Sequence, residues 1–226
     1  MPSLRYLFYQ CQNPVCGLRF PAQASSMQVE RCPRCKSPLE RVVAMEIEQE
    51  APDRPVIPDA PIIEVLLDNI RSAWNVGSMF RTADGVGIQR LYLCGITPTP
   101  SHPRVGRTAL GAEKSLSWQY ASNAIALVRT LISSGRRVWV LEDMPESANL
   151  YHLDISNDPR PILLIVGNEI CGVDPYLLEL AEQSIAIPMM GSKRSYNVAV
   201  AFGIAASYLR YCQIFSQGST RILPNT

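Results

Sequence analysis

The chain has 226 residues, 47% of them hydrophobic, and a formal net charge of +1. That length supports one sizeable core plus a small appendage. The near-neutral balance excludes a globally basic nucleic-acid binder, while leaving a local cationic surface open. The start, MPSLRYLFYQCQ, has neither the charged nor the long apolar region of a secretory signal. No apolar run reaches membrane-spanning length, so a soluble, cytoplasmic protein is expected.

Residues 1–50 carry four of the seven cysteines. In a reducing compartment these read as metal ligands or buried thiols, not disulfides. Cys11 and Cys16 form C-x4-C, and Cys32 and Cys35 form C-x2-C. Two close pairs separated by a modest loop suit a zinc-ribbon-like, four-thiolate zinc site, each pair closing on the metal through a tight turn. Gly17 and Pro33 are at home in such turns. Four thiolates leave no open position, so the zinc would be structural. A unit this small has too little core to stand without a staple. Four ordinary thiols are the alternative. Cys94, Cys171 and Cys212 lie in apolar contexts and read as core residues. Arg19, Arg31, Arg34, Lys36 and Arg41 make the unit's surface cationic, while the acidic stretch EIEQE at 46–50 offsets them. Whether this unit meets RNA, meets a protein or simply folds stays open.

Residues 51–61, APDRPVIPDAP, place a proline at every third position. Polyproline II has three residues per turn, so this reads as a semi-rigid linker of roughly 30 Å. From Ile62 to residue 215 short β-rich runs alternate with helical ones. IIEVLL, RLYLCG, RRVWVLED, PILLIVGNE and SIAIPM read as strands. SAWNVGSMFRTADGVG, NAIALVRTLISSG, PYLLELAEQ and the last apolar stretch read as helices. This alternation predicts an α/β fold, a mostly parallel sheet with helices on both faces. Asp174-Pro175 reads as an N-cap followed by Pro at N1, and Gly85 and Gly135 as helix C-termini. The last helix is apolar nearly all round, so it should be buried between the sheet and another surface. Residues 216–226 read as a tail.

The common chemical signatures are absent: there is no phosphate-binding G-x-x-x-x-G-K-[ST] and no G-x-S-x-G. Gly85-Val86-Gly87 follows a helix instead of a strand, so it is not a dinucleotide fingerprint. His102 and His152 read as surface loop residues. What remains are polar clusters at three strand–helix junctions. In the first, Asn75, Gly77 and Arg81 fall within two helical turns, and Gly77 points to a close backbone approach. In the second, Gly167, Asn168 and Glu169 leave an apolar strand, at the end of a sheet where ligands bind in open α/β folds. In the third, GSKRSYNVAVA at 191–201, Ser195 or Asn197 caps the last helix, and Lys193 and Arg194 lie at its positive end. Taken singly, these fit a surface salt bridge, a plain turn and a helix cap.

Taken together, they have a specific likeness. N-x-G-x-x-x-R-T-A from Asn75, V-G-N-E-x-x-G-V from Val166 and I-P-M-x-G-x-x-x-S-x-N-V from Ile187 occur in this order. They resemble the SPOUT class of S-adenosylmethionine-dependent RNA methyltransferases, in particular its SpoU/TrmH-like branch of ribose 2′-O-methyltransferases. The resemblance covers residues 62–212 and includes LGAEKSLSW at 110–118. It implies a C-terminal section threaded into a trefoil knot, a topology that sequence pattern alone argues against. It also implies a cofactor held by three loops. These are the segment of Leu141 and Glu142, the loop of Gly167 and Asn168, and Ile187 to Met189 with Ser195, Tyr196, Asn197 and Ala199.

The same resemblance implies an RNA substrate, tRNA or rRNA, and a homodimer through the last helix. Arg81 would lie near the ribose 2′-hydroxyl in a site the partner completes. Asn75, Glu169, Ser195 and Asn197 would orient substrate and loops, and Arg81, Lys193 and Arg194 would meet RNA. Where the family has S-L-N-V-S, this chain has Ser195-Tyr196-Asn197-Val198-Ala199. Two alternatives remain: methyl transfer to a base nitrogen on the same fold, and a non-catalytic RNA-binding or assembly protein.

Overall fold

The computed structural model describes residues 4–24, 29–47, 62–153, 155 and 158–216. They fall in two compact units, Met1–Val56 and Ile57–Thr226. The polyproline reading of 51–61, the tail beyond 216 and the side chain of Cys212 lie outside the described residues.

In the first unit, β1 (Leu4–Cys11), β2 (Arg19–Gln23) and β3 (Leu39–Ile47) form an antiparallel sheet in the order β2-β1-β3. Register pairs Gln10 with Arg19 and Cys11 with Leu39, so both cysteine loops sit at one end of the sheet. Among the described residues of this unit, only Tyr9, Cys11 and Cys32 are buried. Tyr9 stacks on Phe20 with ring centroids 5.9 Å apart. So small an apolar core does not hold three strands together without a further constraint.

The second unit begins with β4 (Ile63–Asp68), α1 (Ala73–Gly85) and β5 (Arg90–Cys94). It continues with α2 (Pro103–Ala109), α3 (Ala112–Ser115), β6 (Ser117–Ala121), α4 (Ala124–Ser133) and β7 (Arg137–Leu141). There follow β8 (Ala148–Asn149), a 3-10 turn (Leu150–His152), β9 (Ile162–Val166), α5 (Pro175–Glu179), β10 (Gln183–Ala186) and α6 (Val198–Ser216). The seven strands run β6-β5-β4-β9-β7-β10-β8, and every pairing is parallel. All of β4 and β9 is buried, which is why ILLIV reads as a continuous apolar run instead of an alternating one. One core, with Leu67, Phe80 and Phe202, lies on the α1 and α6 face of the sheet. The other, with Leu66, Val128 and Leu177, lies on the α4 and α5 face.

Local chemistry sets the helix ends. Ser72 accepts the Asn75 N–H, Asn123 the Ala126 N–H and Asp174 the Tyr176 N–H, each as an N-cap, with Pro175 at N1 as expected. His102 caps α2 by accepting the Arg104 N–H. The helix α1 ends at Gly85, as expected, and the left-handed residue that follows is Gly87 (φ +70°). Arg210 of α6 donates to the carbonyls of Val86 and Gly87 and ties this end down. Gly135 (φ +89°) follows α4 as expected. At Gly77 a Cβ would stand 1.9 Å from Thr108 Oγ1 and 2.4 Å from the Val105 carbonyl. The close approach is therefore between α1 and α2. In α6, Phe202, Ala205, Ala206 and Leu209 are buried in the core, while Val200 is 50% exposed.

Candidate active site

The three sequence clusters meet at the carboxyl ends of β4, β9 and β10. Glu169, just beyond β9, accepts the N–H groups of Arg71 (2.8 Å) and Ser72 (3.0 Å) at the amino end of α1. Its Oε1 also accepts Asn75 Nδ2 at 3.0 Å. Asn75 Oδ1 in turn accepts Asn197 Nδ2 at 3.3 Å, and Asn197 Oδ1 accepts the Ala199 N–H at 2.9 Å. A carboxylate only accepts, so Asn75 must turn its NH2 toward Glu169 and its oxygen toward Asn197. That in turn fixes the Asn197 amide, whose oxygen caps α6. Of the two capping candidates the structure selects Asn197. Ser195 makes no hydrogen bond among the described residues. The cap also places Lys193 and Arg194 in the loop ahead of α6, outside its first turn.

Burial alone would push the Glu169 carboxyl up. The N–H of Arg71, the amide of Asn75 and the N–H of Ser72 outweigh it, and the net pKa is lowered. Glu169 is thus held as an anion at a helix amino end, where the macrodipole favours it. That makes it a clamp and a poor proton acceptor.

Beside this chain of hydrogen bonds lies a cleft of about 440 Å³. Its walls are Leu141 and Glu142 after β7, Gly167 and Asn168 after β9, and Ile187 and Met189 after β10. Ser195, Tyr196 and Asn197 close it. Nine of the ten residues the sequence suggested for the cofactor therefore line one cleft. The tenth, Ala199, does not; it packs against the core beneath α6. Gly167 is required sterically, since a Cβ would stand 2.4 Å from the Val173 N. Val173 N donates to Glu142 Oε2 at 3.1 Å, so the first and second loops brace each other. Asn168 ties the second loop to β4 by donating to the Asn69 carbonyl at 2.6 Å.

Arg194 lines the cleft; Lys193 is exposed and does not. Arg81 is exposed on α1, forms no ion pair among the described residues and does not line the cleft of its own chain. Cys171 corrects the expectation of a core thiol. It is exposed in the turn between Asn168 and Gly172, whose backbones pair, while Cys94 is buried. Sequence reading also missed Asp68, which is 2% exposed at the end of β4. It accepts Asn69 Nδ2 at 2.8 Å and the Asp174 N–H at 3.1 Å, and burial, with the Asp174 charge, raises its pKa. The signal was there: a carboxylate closing an apolar run, IEVLLD, leaves the sheet at the point where the loops gather.

In the first unit, the sulfurs of Cys11, Cys16, Cys32 and Cys35 all lie within 4.8 Å of one another, a set able to hold a metal ion. Cys11 and Cys35 are 3.4 Å apart, and Cys16 and Cys32 3.8 Å. Burial pushes Cys11 up to about 12. The Ser37 side chain and N–H pull Cys35 down to about 6.

Residues 62–207 match the model of the SpoU rRNA methylase family, well over half the chain. The chain belongs to that family. Among curated SpoU relatives, it is 31% identical over 140 residues to a tRNA (guanosine(18)-2′-O)-methyltransferase of Aquifex aeolicus, covering 62% of this chain and 64% of that one. It is 28% identical over 151 residues to the 23S rRNA (guanosine-2′-O-)-methyltransferase RlmB of Neisseria meningitidis, covering 66% and 58%. The chain thus spans less than two thirds of the length of these relatives. Among solved structures, the A. aeolicus TrmH/SpoU tRNA modifying enzyme superposes with a TM-score of 0.61 at 27% identity, over 71% of this chain and 80% of that one. The AdoMet-bound rRNA methyltransferase of Sinorhizobium meliloti gives 0.63 at 27%, over 75% and 63%. These likenesses agree with the mostly parallel α/β sheet found here.

Proposed function

We propose that this SpoU-family chain is an S-adenosylmethionine-dependent RNA methyltransferase that modifies a ribose 2′-hydroxyl of tRNA or rRNA in the cytoplasm. One observation carries the reading. The Glu169–Asn75–Asn197 chain and the cleft of Gly167, Ile187 and Tyr196 unite, in space, three segments far apart in sequence. The cleft suits the cofactor. Its floor is apolar (Val166, Ile185, Ile187), and the hydroxyls of Ser195 and Tyr196 have no partner among the described residues. The relatives' activities, 2′-O-methylation of tRNA and rRNA guanosines, support the same chemistry.

S-adenosylmethionine, when bound, supplies an electrophilic methyl group. The chain's own residues must orient the attacking hydroxyl and stabilise the charge it develops. A guanidinium stays protonated, with a pKa above ~12, so Arg81 serves as electrostatic stabiliser and positioner, not as base. A phosphate oxygen or water then takes the proton. Asn75, Glu169, Ser195 and Asn197 hold substrate and loops by hydrogen bonds, and Lys193 and Arg194 meet RNA phosphate. The exposed position of Arg81 suits a homodimer, built through α6, in which Arg81 enters the partner's cleft. The trefoil knot belongs to this reading. It is supported by a strand order that sets β9 between β4 and β7 and puts β10 outside β7. The four thiols would hold zinc. A tetrahedron with Zn–S near 2.3 Å has edges of about 3.8 Å, close to the 3.4 and 3.8 Å sulfur separations.

The test is a map of 2′-O-methyl sites in total RNA with and without the gene. Loss of one or a few sites is expected. Loss of a base methylation instead would move the acceptor to a nitrogen. Cofactor binding with no lost modification would make the chain a non-catalytic RNA-binding protein.

A further inference from the structure

The surface of the four-cysteine end remains unexplained by the cleft. Between residues 11 and 38 the chain carries Arg19, Arg31, Arg34 and Lys36 against one carboxylate, Glu30. Arg34 lies between two of the cysteines, Arg31 and Lys36 flank them, and Arg19 opens β2 directly after the other pair. All four cations are exposed, and none forms an ion pair among the described residues. Arg31 Nη1 and Lys36 Nζ reach the carbonyls of Lys36 and Pro33 at 3.5 Å, which holds both over the Cys32–Cys35 turn.

The bland account is that these charges neutralise the thiolates, since a zinc ion with four thiolates keeps a formal charge of about −2. Cations in that role would donate to the sulfurs. Here the sulfurs face one another, and no side chain of the four cations hydrogen-bonds to a sulfur among the described residues; the backbone N–H groups of Arg34 and Cys35 bond Cys32 instead. A protein-docking surface also draws on arginine, but it sets that arginine among exposed aromatic side chains. The aromatic rings at this end, Tyr9 and Phe20, stack on each other instead.

We infer that the metal-clasped end of the first unit is a phosphate-binding surface, placing Arg19, Arg31, Arg34 and Lys36 against the backbone of the same RNA that the second unit modifies. This rests on the RNA-methyltransferase reading of the cleft. It assigns substrate affinity to the first unit, with the chemistry left in the second. A clasp of four thiolates gives the cations a fixed platform, so their contacts need less ordering on binding. Phosphate contacts of this kind set register without reading sequence.

The experiment uses the full, metal-loaded chain and RNA from cells lacking the gene. Arg19, Arg31, Arg34 and Lys36 are changed together to Gln. Methyl transfer, RNA binding from ~50 to ~200 mM salt and metal content are measured. The expected result is an RNA KM raised about ten- to a hundred-fold at the lower salt and a log K against log salt slope shallower by about 2–3. The kcat should stay within about twofold, with one metal per chain retained. An unchanged KM and salt slope overturns the inference, and so does a fall in metal affinity without a change in slope. If the fourfold variant does not fold, Arg34→Gln alone, in an exposed loop, must raise KM about threefold or the inference fails. Absence of transfer by the wild-type chain on any RNA would instead remove the methyltransferase reading itself.

Discussion

Replacing Glu169 by Gln tests whether this carboxylate is a clamp or a base. Glu169 accepts three hydrogen bonds, from Arg71 N, Ser72 N and Asn75 Nδ2. A Gln has one acceptor oxygen and one donor group, so at best its NH2 replaces the oxygen facing the Arg71 N–H. That loses one charge-assisted bond, worth ~1.5–3 kcal/mol, and the charge–dipole term at the helix end, ~0.3–1 kcal/mol. Glu169 is largely open to solvent, so screening takes the sum to the low end, about 1–2 kcal/mol. For a domain of this size that is a fall in Tm of roughly 2–8 °C, readable by calorimetry.

The catalytic effect should be larger than the stability loss alone explains. Without an acceptor-only partner, the amides of Asn75 and Asn197 are free to flip, and kcat should fall about ten- to a hundredfold with cofactor affinity reduced only a few-fold. The pH dependence gives an independent sign. The folded pKa of Glu169 is lowered, so its contribution to stability is present above the ordinary carboxylate range and is lost as pH falls through the folded value. The Gln variant should lack that part of the acid destabilisation. Wild-type kcat in the variant would refute the clamp. A rate loss above a thousandfold, together with loss of an acid limb in the rate profile, would make Glu169 the base.

The other predictions are simpler. Arg81→Ala should abolish methyl transfer in a tritium-transfer assay while calorimetric cofactor affinity stays within a few-fold; full activity would remove Arg81 from the chemistry. Gly77→Ala should destabilise by ~2–4 kcal/mol, because its Cβ would meet Thr108 Oγ1 and the Val105 carbonyl. Adding Thr108→Ala should recover part of that loss in denaturant titrations, and full recovery would mean the backbone contact yields. Cys32→Ser should lower metal content measured by atomic emission to well below one per chain and leave residues 4–47 unfolded by NMR; retained metal would refute the four-thiol site. Neutralising Lys193 and Arg194 should weaken RNA binding and flatten its salt dependence with cofactor binding spared, and unchanged affinity would make the pair a solvated loop.

The strands and long helices of the second unit were legible in the sequence because burial on both faces leaves uninterrupted apolar runs such as ILLIV. Short elements were not: α2 and α3 are seven and four residues long, and β6 is an edge strand with most of its residues exposed. The motif residues could be named, but not how they touch. Nothing in sequence spacing says that Glu169 completes the amino end of a helix nearly a hundred residues earlier. Cys171 misled because an apolar neighbourhood in sequence, Ile170 and Val173, becomes a tight exposed turn when Gly172 takes a positive φ.

The sheet's middle also has consequences for how the chain reaches its fold. The interior strand β4 has one neighbour close in sequence, β5, and one about a hundred residues downstream, the central strand β9. At a ribosomal rate of ~5–20 residues per second, β4 waits roughly 5–20 s for that second neighbour. Through this interval IEVLLD, buried on both faces in the finished sheet, is an open edge of the kind that invites wrong pairing. The late-arriving β9 then closes the sheet and delivers Glu169 to α1 in one event. Refolding should therefore be slow for a domain of this size, and amide protection of β4 and of the first turn of α1 should appear in the same late phase.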